Sequence, residues 1–139
     1  WLSNKLGLEI RLPHEAEWEV AARYPDGRSY PWGSEWDNSK ANTRESGIGQ
    51  TTAVGLYPNG QHPELELYDL SGNVWEWCQN KYSDPKDAAV DDSGEGRVVR
   101  GGSWSNYQDL ARGASRDHAP PGPRGPSQGC RLVRRSPSQ

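Results

Sequence analysis

The sequence predicts a small, loop-rich domain of short helices and strands, held together by aromatic clusters. Three observations point there. At 139 residues the chain is one domain or part of one. Hydrophobic residues make up 32 %, low for a globular chain, while 16 Gly and 11 Pro favour turns over long elements. Seven Trp and six Tyr nevertheless oppose disorder. Disordered chains are aromatic-poor, and each large ring can bury roughly 150–250 Å².

The elements follow in order. Trp1 to Leu6 reads as the last turns of a helix stopped at Gly7, so a preceding part of the domain is expected. Leu8 to Leu12 alternates like a short strand. The clearest helix is Leu12 to Arg23. Pro13 suits its first turn, Glu15 and Glu17 suit the positive end of the dipole and Arg23 the other. His14, Trp18, Ala21 and Ala22 share one face, with His14 read as a helix-start residue. Tyr24 to Gly60 is turn-rich, with Pro25-Asp26-Gly27, Pro31-Trp32-Gly33 and Pro58-Asn59-Gly60. Such a stretch needs internal anchors, and Trp32, Trp36 and Tyr57 are the candidates.

Asp69 to Gly72 is a turn and Val74 to Cys78 a strand. Strand alternation puts Val74, Glu76 and Cys78 on one face, with Trp75 and Trp77 on the other. A carboxylate between two Trp needs a partner if buried. Two readings stand. Asp69 and Glu76 with turn carbonyls could offer hard oxygen ligands to Ca²⁺, or Asp69 caps the turn and Glu76 pairs with an Arg. Gln79 to Gly96 is polar and reads as a surface loop. Arg97 to Arg100 is a β-branched strand that Gly101-Gly102 breaks before Ser103-Trp104. Cys130 to Val133 is a short strand that could pair back.

Between those last two strands the chain changes in kind. The 24 residues Ser105 to Gln128 hold one Tyr and one Leu but no Val, Ile, Phe, Trp, Met, Cys, Thr, Lys or Glu. This segment cannot form its own core. It is either a flexible linker or a surface displayed between fixed strands, and its strand-like ends favour display.

Several function classes are excluded or weakened. Net charge is −3 with mixed signs, which offers no strong field to nucleic acid or an anionic membrane. Residues 97–134 carry seven Arg against two Asp, a local +5, but without the Lys and stacked aromatics of a nucleic-acid surface. The His residues at 14, 62 and 118 are scattered, and no GxSxG, P-loop or HExxH is present. The two cysteines, Cys78 and Cys130, both fall in expected strands and read as small buried residues. A disulfide between them stays open. These residues show neither a signal-peptide pattern nor an apolar run long enough to span a membrane, so localisation is not written in them.

Three blocks in this order, GLEIRLPHEAEWEVAAR, LYDLSGNVWEWCQNKY and RVVRGGSWSNYQDLARGASRDH with a later GCRLV, resemble the formylglycine-generating-enzyme-like (sulfatase-modifying-factor) families of the C-type lectin fold. The resemblance covers about 120 residues. It implies an α+β domain of short helices, twisted antiparallel strands and long loops over residues 1–139, with a further N-terminal part usual in the family. In the oxidase branch two cysteines shortly after GGS-aromatic bind copper. The matching positions are Asn106 and Ala111, from which no thiolate site can be built, so oxidase activity is not expected to transfer. The sulfoxide synthases of the superfamily take metal histidines from a helical domain that these residues do not include.

The variable proteins of diversity-generating retroelements resemble the chain more closely. In that branch the segment from about RGGSW to a terminal strand, here 97–134, is randomised at adenines. Its codons become NNY, which exclude Lys, Glu, Trp, Met and Gln. Residues 105–128 contain none of the first four, and Gln108 and Gln128 would be fixed positions. Cys130 departs from the Phe usual in that branch. The resemblance implies a display surface of Ser105, Asn106, Tyr107, Asp109, Leu110, Ser115, Asp117, His118, Ala119, Gly122, Gly125 and Ser127, with Tyr107 as the best anchor. Arg112 and Arg116 could instead be scaffold residues bonded to loop carbonyls. It also implies a structural Ca²⁺ held by the Asp69 and Glu76 side chains and the Gly72 and Val74 carbonyls, with no cofactor required for function. The expected partner is a protein or glycan on another surface, without nucleic acid or direct membrane insertion, at a bacterial cell surface or phage particle. A divergent oxidase and a fixed carbohydrate- or protein-binding lectin-like module are the alternatives.

Overall fold

The computed structural model describes residues 1–87, 89–90, 92–122 and 125–135. Helix α1 (Leu2–Leu6) ends on Gly7 in the left-handed conformation, the stop expected from sequence. Strand β1 (Ile10–Arg11) is followed by helix α2 (Glu15–Arg23). The entry to α2 is capped by Glu17, whose carboxylate accepts the His14 N–H at 2.8 Å and pairs with Arg11 at 2.7 Å. The Arg11 bond holds that carboxyl down to about 2. Two short 3₁₀ turns, Arg44–Ser46 and Pro58–Gly60, are the regular structure of the turn-rich stretch.

The main sheet contains β2 (Trp75–Lys81), β3 (Arg97–Arg100), β4 (Arg116–Ala119) and β5 (Gln128–Gly129), in the order β4-β3-β2-β5. β2–β3 and β3–β4 are antiparallel, and β2–β5 is parallel. A separate pair joins β1 to β6 (Val133–Arg134). The alternation read in β2 is realised. Cys78 packs with Trp18, Ala22, Leu70 and Val98 on the face covered by α2. Trp75 packs with Val99 and Ala119, flanked by Trp77, on the other face. The paired glycines after β3 both have positive φ, 93° and 70°. A Cβ on Gly101 would lie 3.0 Å from the Trp18 ring, and one on Gly102 would lie 2.9 Å from the Leu110 carbonyl. The strand break therefore also admits the core Trp and the returning chain.

Four expectations need correction. Trp32 and Trp36, whose default role from sequence is core packing, are half-buried and gather around the buried Tyr30, at ring separations of 5.3 and 5.1 Å, as a satellite cluster outside the main core. The C-terminal strand is not Cys130 to Val133. Pairing occurs before it at β5 and again only from Val133 in β6, because Arg131 between them turns inward to Glu76. Cys130 is consequently exposed and outside any strand, while Cys78 is fully buried, and both are free. Residues 105–128 are not one continuous loop, since β4 lies within them as the edge of the main sheet. Among the described residues no helix is long and apolar enough to cross a membrane.

Burial pushes the Cys78 thiol up to about 12, so its thiolate is nearly absent at neutral pH. A thiol reagent at pH 7–8 is expected to modify about one equivalent per native chain, at Cys130, and a second only after denaturation. Mass spectrometry of labelled peptides checks this.

Candidate functional site

The site is built on a buried ion network. Arg100, 1 % exposed at the end of β3, donates to Glu15 Oε1 at 2.8 Å, to Glu19 Oε2 at 2.8 Å and to the Gly113 carbonyl at 2.7 Å. Its guanidinium also lies 5.3 Å from the Trp18 ring centroid. Arg116 on β4 clasps the same Glu15 through Nε at 2.7 Å and Nη2 at 2.9 Å, and that bond raises the Arg116 pKa. Helix α2 is thus fastened to β3, to β4 and to the turn between them. Without Arg100, Glu15 keeps Arg116 and Glu19 keeps Arg23, but the buried Gly113 carbonyl loses its donor. Arg100→Leu is therefore expected to cost about 1–3 kcal/mol, read as a lowered urea midpoint with the slope unchanged.

On this base the segment after β3 is riveted at alternating points. The Asn106 side chain accepts from Ser103 N–H at 3.1 Å and Ser103 Oγ at 2.6 Å, and its carbonyl accepts the Arg44 N–H at 2.9 Å. Ala111 is fully buried, with its carbonyl bonded to Ser71 Oγ at 2.8 Å. Gly113 N–H donates to the Ser29 carbonyl at 2.8 Å. Ser105, Tyr107, Asp109 and Leu110 project from between these rivets and are exposed. Tyr107 is 54 % exposed, and the Arg44 guanidinium stacks 4.9 Å from its ring centroid. Arg44, Gly47, Gly49, Trp104 and Ser105 line a shallow cavity of about 270 Å³ beside it.

The expected display residues divide accordingly. Ser105 lies on the turn 103–106, and Tyr107, Asp109 and Leu110 lie on the next, 107–110. Asp117 and His118 are exposed on β4, with the His118 ring 5.0 Å from that of Tyr82. Gly122 is exposed further along. Asn106 is a rivet and not a displayed side chain. Ser115, half-buried, ties its hydroxyl to the Asp109 carbonyl at 2.8 Å. Ala119 is 3 % exposed and belongs to the core. Gly125 and Ser127 are half-buried, with the Ser127 carbonyl accepting the Trp75 N–H at 2.8 Å. Arg116 is scaffold, bonded chiefly to Glu15 and also to the Tyr82 carbonyl at 3.3 Å, whereas Arg112 is exposed. Arg44 was missed from sequence. It lies some 60 residues before the segment, and only the fold brings it there.

Asp69, Gly72, Val74 and Glu76 do not make a cation cradle. Both Glu76 oxygens receive Arg131, at 2.5 and 2.7 Å, and Oε2 also receives the Trp18 indole N–H at 2.7 Å. The Gly72 carbonyl accepts the Val74 N–H at 2.9 Å, and Asp69 accepts the Gly55 N–H at 2.9 Å. Arg131 takes both Glu76 oxygens, so the donor set as arranged does not fit Ca²⁺, and the pairing of Glu76 with an Arg is the arrangement found. No group of three or more His, Cys, Asp or Glu among the described residues could hold a metal.

Burial raises the Asp69 pKa above 3.8. The folded chain therefore holds this proton more tightly than the unfolded chain, and the ionised carboxylate costs stability above the raised value. That cost fades as pH falls through the folded pKa towards 3.8. Asp69→Asn keeps an acceptor for Gly55 and tolerates φ 55°. It is expected to raise stability at pH 7 and to flatten the pH dependence between neutrality and pH 4. Thermal melts across that range check this, and a Ca²⁺-dependent rise in midpoint that the variant loses would overturn the reading of the donor set.

The family model described as sulfatase-modifying factor enzyme 1-like domain matches residues 1–136. The chain is 42 % identical over 134 residues to serine/threonine-protein kinase Pkn1 of Chlamydia trachomatis, covering 89 % of this chain and 21 % of that protein. It is 40 % identical over 116 residues to the formylglycine-generating enzyme of Streptomyces coelicolor, covering 68 % and 36 % respectively. The inactive Cα-formylglycine-generating enzyme 2 of Bos taurus is 37 % identical over 110 residues, with 71 % and 34 % covered. The chain thus spans between a fifth and about a third of these relatives. Among solved structures, PvdO of Pseudomonas aeruginosa superposes with TM-score 0.80 at 31 % identity over 96 % of this chain and 56 % of that one. Treponema denticola variable protein 1 superposes with TM-score 0.70 at 28 % identity over 90 % and 47 %. The fold is the α+β fold of these proteins, and the chain belongs to the sulfatase-modifying factor enzyme 1-like, or formylglycine-generating-enzyme-like, family.

Proposed function

We propose that this chain is a non-catalytic ligand-binding module that displays a variable surface in the manner of a retroelement variable protein. The observation that carries the reading is the alternation along 103–111. Ser103, Asn106 and Ala111 are locked by burial or hydrogen bonds, while Ser105, Tyr107, Asp109 and Leu110 project outward. Exposed side chains that make few framework contacts can change without disturbing the core. Tyr107 brings a broad amphipathic face at low entropic cost, and the adjacent Arg44 extends the surface beyond the C-terminal segment. The partner in this reading is a protein or glycan on another surface, met at a bacterial cell surface or phage particle.

Relatives bearing both formylglycine-generating and inactive names match the chain, so family membership alone does not decide between catalysis and binding. The residues favour binding. The resemblance of the GGSW motif matches the oxidase cysteines to Asn106, whose oxygen is committed to Ser103, and Ala111, which has no ligating atom. The likeness to a variable protein supports the same reading.

Sequencing the encoding locus tests the finer claim. A near-repeat of codons 105–127 that differs at adenines, beside a reverse transcriptase gene, is the expected finding. Its absence would reduce the proposal to a fixed binding module. Titration with copper(I) under a competing chelator tests the coarser claim. No stoichiometric uptake and no oxidation of a cysteine-containing peptide are expected, and turnover would overturn the non-catalytic assignment.

A further inference from the structure

A second concavity lies away from the displayed turn. β5 has two residues and pairs with β2 only as far as Glu76. Further along, Gln79 N–H is taken by the Pro13 carbonyl at 2.9 Å. Beside these closures lies a cavity of about 720 Å³ that reaches across β2 to Arg97 of β3, walled by Leu12, Trp77, Cys78, Pro121, Gln128 and Cys130.

We propose that this cavity is a binding site for a neutral, largely apolar small molecule. Its volume falls in the range of about 300–1,000 Å³ typical of small-molecule sites. The stretch of β2 between the β5 pairing and the Pro13 bond is two residues, too short to seat an added peptide strand, whose affinity would come from a run of main-chain bonds. The wall offers little to a charged ligand. Arg97 is its one charged side chain among the described residues, and its guanidinium already donates to the Gln79 carbonyl at 3.1 Å. The Cys78 thiol is protonated at neutral pH. Half-buried Trp77 presents a ring for stacking, and the exposed Val90 extends the apolar rim. This site is separate from Tyr107 and Arg44 and does not depend on the display reading.

Cys130, free and exposed on this wall, serves as a reporter. The wild-type chain is titrated with Nile red, a neutral apolar dye, and the rate of Cys130 alkylation by iodoacetamide is followed with and without saturating dye. Cys130→Trp fills the cavity from a position outside the core, and Leu132→Trp, also exposed but not on the wall, is the control. Saturable one-site binding is expected, weakened about tenfold or more by Cys130→Trp and within about twofold in the control, with alkylation slowed about fivefold or more by bound dye. Absence of saturable binding, or binding that leaves the alkylation rate of the wild-type chain unchanged, would overturn the proposal. The protection measurement needs no variant, so a misfolded Cys130→Trp does not blunt the test.

Discussion

The ion network around Arg100 is the constraint on which the other features rest. Four charged side chains, Glu15 and Glu19 from α2, Arg100 from β3 and Arg116 from β4, meet where the helix crosses the sheet. A core this poor in aliphatic residues has little apolar area with which to orient α2. Directional, charge-assisted bonds do that work, and each carries a larger penalty for misalignment than a hydrophobic contact would. Arg100 also reaches the Gly113 carbonyl, so the network that sets the helix also sets the turn after the displayed residues. A second pair, Glu76 with Arg131, repeats the device on β2 and pulls the C-terminal chain across the core beside Trp18.

This architecture separates holding from display. Rigid points come from buried small residues and backbone bonds, such as Ser103 to Asn106 and Ala111 to Ser71, and of the displayed side chains Ser105 joins them, its hydroxyl 3.0 Å from Ser103 Oγ. Stability and surface chemistry can then vary almost independently, since substitutions away from buried partners usually change stability little. The same separation holds for an enzyme, whose active site also sits on a rigid frame. At the rivets this chain carries an amide, Asn106, and a methyl group, Ala111.

The sequence was most legible where a local pattern has one outcome. The alternation of Trp75 to Cys78 on two faces, the left-handed stop at Gly7 and the break at Gly101-Gly102 follow from period and backbone sterics, and the structure has them. It was least legible for polar residues with distant partners. Glu15 read as a helix-dipole residue, yet its partners are 85 and 101 positions away. Asn106 and Ala119 sit in a polar, turn-forming stretch, which suggested display. One is claimed by Ser103 and the other by the pairing of β4 with β3, and neither claim leaves a mark in composition.

The sequence by itself determined the family, the short elements of the framework, the loop-rich character and the location of the polar C-terminal segment, because these depend on neighbouring residues and on motifs. The tertiary structure alone decided which side chains of that segment face solvent, that Arg44 stands beside Tyr107, that Glu76 holds an arginine, and that a cavity opens beside Trp77 and Cys130. Each of these depends on residues far apart in the chain meeting in space, and pairings at that range are set by the packing of the whole domain.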